Sequence, residues 1–263
     1  MSTPVHATGM PPAEDSARAP LGSVLALVVA ELRLVLREPL VLAFVFAFPI
    51  ITVLVIAGSF DSDDDGFGGV EPSQWYVASY LAVVIAAIGL VMVPVHLAAY
   101  RERGVLRRFA AAGFPRWSFL LAQLVVGLVL TLVASAVLLA VAAPVYGLPA
   151  VQDPLPVAAA LLLGALAFTV IGLLIGSLVP NARAAQGLGL LAFFPSFLLG
   201  GGGPPPAVMS EGVRTVSELM PLMHVTDAIR EPWLGTASGQ GHLLVVAVVL
   251  VVALLACARS VRL

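Results

Sequence analysis

There is no lysine in this chain of 263 residues; all 13 basic residues are arginine. A phosphate-binding loop of the Walker type needs a lysine to reach the phosphates, so ATP used by this protein must be hydrolysed on another chain. With the bias toward alanine, valine, leucine and glycine, the missing lysine points to a GC-rich bacterial genome. Charge of either sign is scarce, at 11% of residues, whereas 60% are hydrophobic. Soluble domains carry roughly 25% charged and about 45–50% apolar residues. The mean hydropathy of +1.05 therefore excludes an ordinary soluble core and indicates an integral membrane protein. The single cysteine, Cys257, excludes an internal disulfide and is expected as a small buried apolar residue. No HExxH, CxxC, G-x-S-x-G or GxGxxG motif occurs. No catalytic residue, metal site, bound cofactor or nucleic-acid partner is therefore expected.

What is present is a series of six apolar runs, at 40–60, 76–98, 118–143, 156–179, 184–202 and 242–258. Each has the length needed to cross a bilayer core of ~30 Å as a helix. Pro49, Pro94 and Pro195 fall inside runs and are expected to kink them. Gly172 and Gly176 form a GxxxG in the fourth run, which allows close approach of a neighbouring helix. Gln123 is expected to make an interhelix hydrogen bond, and His96 to sit at the membrane interface. No Asp, Glu or Arg lies near the middle of any run, which argues against an ion-coupled carrier. Ahead of the first run, residues 21–38 have helical periodicity. Leu21, Val24, Leu25, Val28, Val29, Leu32, Val35 and Leu36 share one face, opposite Ser23, Arg33 and Arg37. This predicts an amphipathic interfacial helix. Residues 1–20, rich in proline, alanine and small polar residues, read as a disordered tail.

The connections set the orientation. Residues 61–75 hold five acids and no base, whereas Tyr100–Arg116 holds five arginines and one acid, Glu102. With both termini cytoplasmic, eleven of the 13 arginines lie inside, as the positive-inside rule prefers. A signal peptide cleaved after Ala30 would turn the arginine-rich loop outward, and is rejected for that reason.

The arrangement within "YRERGVLRRFAAAGFPR" says more than its charge. Read as one helix from Arg101 to Ala112, it gathers Val105, Leu106 and Phe109 on one arc with Glu102 among them. Arg101 and Arg108 flank one side and Arg103 and Arg107 the other. Gly113 and Pro115 would end the helix. A second unusual segment, 195–235, contains "GGGGPPP", which breaks a helix, followed by a stretch rich in Pro, Met and Leu.

These two segments, in this order among six spans, resemble type 2 ABC transporter permeases. The first resembles the family's Glu-Arg-x-x-Gly-Thr-Leu segment before a proline, on Glu102, Arg103, Gly104, Leu106 and Pro115. The glycine is one place early, and Val105 stands for threonine. The second resembles a helical hairpin re-entering between spans five and six, on Pro221, Leu222, Ala228, Arg230 and Gly235. The resemblance implies an all-α membrane fold over 21–263, with a coupling helix at Arg101, Glu102, Arg103, Gly104, Val105, Leu106, Arg107, Arg108 and Phe109. It also implies two copies of an ABC ATPase carrying ATP and Mg, a second permease chain as a copy or homologue, and a place in the bacterial cytoplasmic membrane. The charge-free spans favour a hydrophobic or amphiphilic cargo, a drug or lipid. Phe193, Phe194 and Phe197, grouped in span five, are candidates for its path. The alternatives are an ion-coupled secondary transporter and a non-catalytic membrane assembly subunit.

Overall fold

The computed structural model describes residues 21–60, 65–111, 116–148 and 150–260. The expected tail at 1–20 lies outside them, as do Ala112, Gly113 and Pro115, the expected end of the coupling segment. Helix α1 is Leu21–Val35. A second helix, α2, joins Pro39–Leu42, a π-helical turn Ala43–Ala47 and Phe48–Ala57. Helix α3, Pro72–Glu102, contains a π-helical turn at Ala87–Met92. The short α4 is Val105–Ala111. Then follow α5 (Arg116–Tyr146), α6 (Pro154–Leu178), α7 (Ala182–Leu199), α8 (Glu211–Glu218), α9 (Pro221–Leu234) and α10 (Gln240–Ser260). Among the described residues there is no strand.

Proline opens α2, α3, α6 and α9, where its missing N–H costs no helical bond. Two internal prolines do something different. Pro49 and Pro94 each stand beyond the end of a π turn, Ala43–Ala47 and Ala87–Met92, with one residue between. A proline withholds the donor that the carbonyl four residues earlier needs. The chain responds with wider bonds: Phe48 N–H reaches the Ala43 carbonyl, and Val93 N–H the Ile88 carbonyl. Pro195, also expected to kink its helix, lies inside α7, which is continuous from Ala182 to Leu199.

Five helices are long and apolar enough to cross a membrane among the described residues: Pro72–Glu102, Trp117–Tyr146, Pro154–Leu178, Ala182–Leu199 and Gln240–Arg259. They coincide with the second to sixth apolar runs, and Ala43–Ala57 is a shorter apolar helix in the first. Helix α3 is the hub. The apolar window of α3 is 94% buried, against 22% for α7 and 17% for α10. A helix apolar on every face needs neighbours on every face. The outward faces of α7 and α10, with Leu188, Leu191, Leu244 and Val252 exposed, instead need lipid or another chain to cover them.

Glycine makes the hub possible. A Cβ on Gly172 of α6 would lie 2.0 Å from the Gly89 carbonyl oxygen of α3. One on Gly189 of α7 would lie 2.3 Å from the Leu90 oxygen, the carbonyl that Pro94 leaves without its usual donor. Of the expected GxxxG, Gly172 packs against the π turn of α3 and Gly176 against Pro94 beyond it. Cys257 is buried in α10. Helix α1 packs on α5 and turns Val24, Leu27, Val28, Glu31 and Val35 inward. Leu25, Val29 and Leu36, assigned to the same apolar face from sequence, are exposed beside it.

Candidate functional site

At the arginine-bearing end of the bundle, the chain does not form one helix over 101–112. Arg101 and Glu102 finish α3, and Gly104 turns the chain with φ 69° before α4 begins at Val105. A positive φ suits glycine and separates the two helices. Glu102 therefore leaves the arc of Val105, Leu106 and Phe109. Those three are half-buried against the bundle, while Arg103, Arg107 and Arg108 are exposed.

Arg101 and Glu102 serve the turn between α6 and α7. Arg101 Nη1 donates to the carbonyls of Gly176, Ser177 and Val179 at 3.0, 2.6 and 3.0 Å. The backbone N–H of Ala182 donates to Glu102 Oε2 at 3.2 Å, and that of Ala184 to Asn181 Oδ1 at 2.8 Å. A helix C-terminus presents unpaired carbonyls and attracts a cation; an N-terminus presents N–H groups and attracts an anion. Two adjacent residues of opposite charge thus cap both sides of one turn. This gives Glu102 its place among the arginines. A cleft of about 390 Å³ opens beside it, lined by Val95, Glu102, Asn181, Ala182, Arg183 and Gln186.

A buried polar cluster lies one layer inward. Tyr100 Oη and Gln123 Nε2 both donate to Glu31 Oε2 at 3.0 Å, and His96 Nε2 is 3.6 Å from the same oxygen. Gln123 makes the interhelix bond expected of it. His96, near the arginine-bearing end of α3, is buried within the bundle. Burial pushes the Glu31 carboxyl above its ordinary pKa, and the bonds from Tyr100 and Gln123 pull it part of the way back. Glu31 was missed from sequence although it lies at helical spacing between Val28 and Val35, both buried.

The three phenylalanines of α7 pack together but differ in exposure. Phe193 and Phe197 are buried in a stack of rings with Phe44 and Phe48 of α2, with centroids 5.2–5.9 Å apart. Phe194 is 44% exposed, and its ring meets Phe193 and Phe48 edge-on with centroids 5.5 and 6.3 Å apart. The three residues therefore share one aromatic cluster, with Phe194 at its outer edge.

At the opposite end, α7 stops at the glycine run and the chain returns as α8 and α9. The turn is held through its carbonyls. Tyr76 and Tyr80 of α3 donate to Gly203 and Gly202 at 3.2 and 3.1 Å, and Thr226 donates to Gly200. Ser217 Oγ donates to the Leu199 carbonyl at 2.5 Å. Helix α9 packs between α3, α6 and α10, burying Leu222, Val225, Ala228 and Ile229. It ends at Gly235 with φ 71°. Arg230 is buried, pairs with Asp227, donates to Ser79 Oγ at 3.3 Å and lies 3.6 Å from the Trp75 ring centroid. Pro221, Leu222, Ala228 and Arg230 all lie in α9. The sequence reading passed over Asp227, whose signal was an acid three residues before Arg230 in an apolar helix.

A family model described as ABC-2 type transporter matches residues 22–233, from α1 almost to the end of α9. The chain belongs to the ABC-2 type transporter family. It is 25% identical over 167 residues to "Probable multidrug ABC transporter permease YbhR" of Escherichia coli K12. The same figures hold for the protein of that name in Escherichia coli O157:H7. Each alignment covers 63% of this chain and 45% of the relative. The chain thus spans less than half the length of these relatives. In this ABC-2 family chain, polar side chains join several helices at the capped α6–α7 turn, at the Glu31 cluster and where α9 packs on α3.

Proposed function

We infer that this ABC-2 permease is the membrane subunit of an exporter driven by a separate ATP-hydrolysing subunit. Two ATPase copies, holding ATP and Mg, would dock at the arginine-bearing end. A second permease chain, a copy or a homologue, would cover the exposed faces of α7 and α10. In this reading α2 is a sixth crossing, and the chain lies in a bacterial cytoplasmic membrane with both ends of the bundle's sequence on the cytoplasmic side. The cargo is hydrophobic or amphiphilic, a drug or lipid; the word "multidrug" in the names of the E. coli relatives supports that class.

The observation that carries the reading is the linkage at Gly104. Helix α4 offers Arg107 and Arg108 to a partner, while Val105, Leu106 and Phe109 rest on the bundle. One residue beyond Gly104 and Arg103, Glu102 and Arg101 hold α3 to the α6–α7 turn. A displacement of α4 thus reaches three spans at once. Docking rests on Arg103, Arg107 and Arg108, and transmission on Arg101 and Glu102.

Co-expression with a candidate ATPase and transport assays in vesicles test this. Arg107→Glu with Arg108→Glu is expected to abolish ATPase co-purification without changing the melting of the permease. Glu102→Arg is expected to keep the ATPase bound and lose transport per ATP hydrolysed. Normal ATPase binding in the first variant, or normal coupling in the second, would overturn the respective role.

A further inference from the structure

Where the hairpin meets the last span, four titratable side chains converge that neither the coupling nor the capping uses. His242, in the first turn of α10, points Nε2 at two carboxylates of α9. Asp227 Oδ2 is 3.8 Å away and Glu231 Oε1 is 3.6 Å away. The three ligand atoms all lie within 4.8 Å of one another. Neither carboxylate contact is short enough for a hydrogen bond, which needs roughly 2.7–3.2 Å. Tetrahedral coordination with bonds of 2.0–2.1 Å places ligand atoms about 3.3 Å apart, so the two His242 pairs need to close by about 0.3 and 0.5 Å, and the Asp227–Glu231 pair, which lies within 4.8 Å, by up to about 1.5 Å.

We propose that Asp227, Glu231 and His242 form a binding site for a divalent first-row transition cation of the Zn²⁺ class. What separates the group from a chance acidic cluster is that the second atom of each ligand is already held. Arg230 donates to Asp227 Oδ1. The Gly239 N–H donates to Glu231 Oε2 at 3.1 Å. His242 Nδ1 lies 3.0 Å from His224 Nδ1. Partners of this kind orient metal ligands and set the imidazole tautomer. With a proton on His242 Nδ1 shared toward His224, the Nε2 lone pair faces the two carboxylates, an arrangement that a cation makes favourable. An open cleft of about 290 Å³ reaches His224, Asp227 and His242 and gives an ion a route in. Imidazole selects a transition metal over Ca²⁺ or Mg²⁺, which require a fuller oxygen shell.

Bound metal would clip α9 to α10 across the turn that separates them, fixing the hairpin against the last span. This inference does not depend on the direction of transport or on its cargo. The test uses the full chain in detergent with Zn²⁺ as the probe, read by calorimetric binding and by melting, and Co²⁺ as a spectroscopic reporter. The expected result is one saturable site per chain, a rise in melting temperature with Zn²⁺ and none with Mg²⁺. Co²⁺ should give a d–d spectrum of low-symmetry nitrogen and oxygen ligation. Glu231→Gln and His242→Ala should each abolish the Co²⁺ spectrum. His224→Ala should weaken binding roughly 10-fold or more. Melting without metal identifies which variants fold. His6→Ala should bind as the wild type does. No saturable binding to the wild type would overturn the proposal, as would unchanged binding in folded Glu231→Gln and His242→Ala.

Discussion

Replacing Gly172 by alanine tests the crossing on which α3 and α6 depend. The added methyl would lie 2.0 Å from the Gly89 carbonyl oxygen, 3.0 Å from Val93 Cβ and 3.1 Å from the Gly89 carbonyl carbon. A carbon and a carbonyl oxygen in contact sit at about 3.3 Å, so the two helices must part by roughly 1 Å. The nearest atom is backbone and cannot rotate away. Overpacking of this kind costs about 1–3 kcal/mol, and helical preference for alanine over glycine returns about 1 kcal/mol at most. A parting of 0.5–1 Å also forfeits roughly a quarter to a half of each dispersion contact along the seam. The expected net loss is about 1–2 kcal/mol, or roughly 2–8 °C in melting temperature for a chain of this size. Gly187 of α7 provides the control, because a Cβ there meets nothing within 4 Å. Thermal unfolding of both variants in the same detergent decides the matter. Gly172→Ala should melt below the wild type and Gly187→Ala at or above it. Equal shifts in the two would mean that helix propensity, not the crossing, sets the outcome.

Two more substitutions probe the buried polar groups. Glu31→Gln should stabilise the chain increasingly as pH rises. The raised carboxyl binds its proton more tightly in the fold than in the unfolded chain. Wild-type stability is therefore fullest at or below the ordinary carboxylate range and falls as pH climbs through the raised value. A difference in melting between variant and wild type that ignores pH, or shrinks as pH rises, would refute this. Arg230→Met should cost about 3–5 kcal/mol by stranding the Asp227 charge, and adding Asp227→Asn should recover much of that loss. Melting in the presence of a chelator measures both, and additive losses would count against a buried pair.

The spans were legible because twenty apolar residues in a row have few other uses, and the structure moves their ends by only a few residues. The hairpin was legible in part, since a glycine and proline run must break α7. The partners of the break were not, because Tyr76 and Tyr80 lie more than a hundred positions away in sequence. Glu102 shows the limit well. Helical arithmetic placed it with Val105 and Phe109, but Gly104 interrupts the count, and its actual partner Ala182 belongs to another helix. The π turns also left no direct trace of their own. Pro49 and Pro94 marked where the ladder fails, not how the neighbouring carbonyls are then used.

Helix α3 has 31 residues, which at 1.5 Å per residue makes a rod of roughly 46 Å. Arg101 and Glu102 sit at one tip; Trp75, Tyr76, Ser79 and Tyr80 sit at the other. A twist of this single axle would pull the tyrosines from the glycine carbonyls and Arg101 from the α6 carbonyls together. Both ends of the bundle thus hang on one shaft, and the π turn Ala87–Met92 at its middle interrupts the regular α-helical ladder between them.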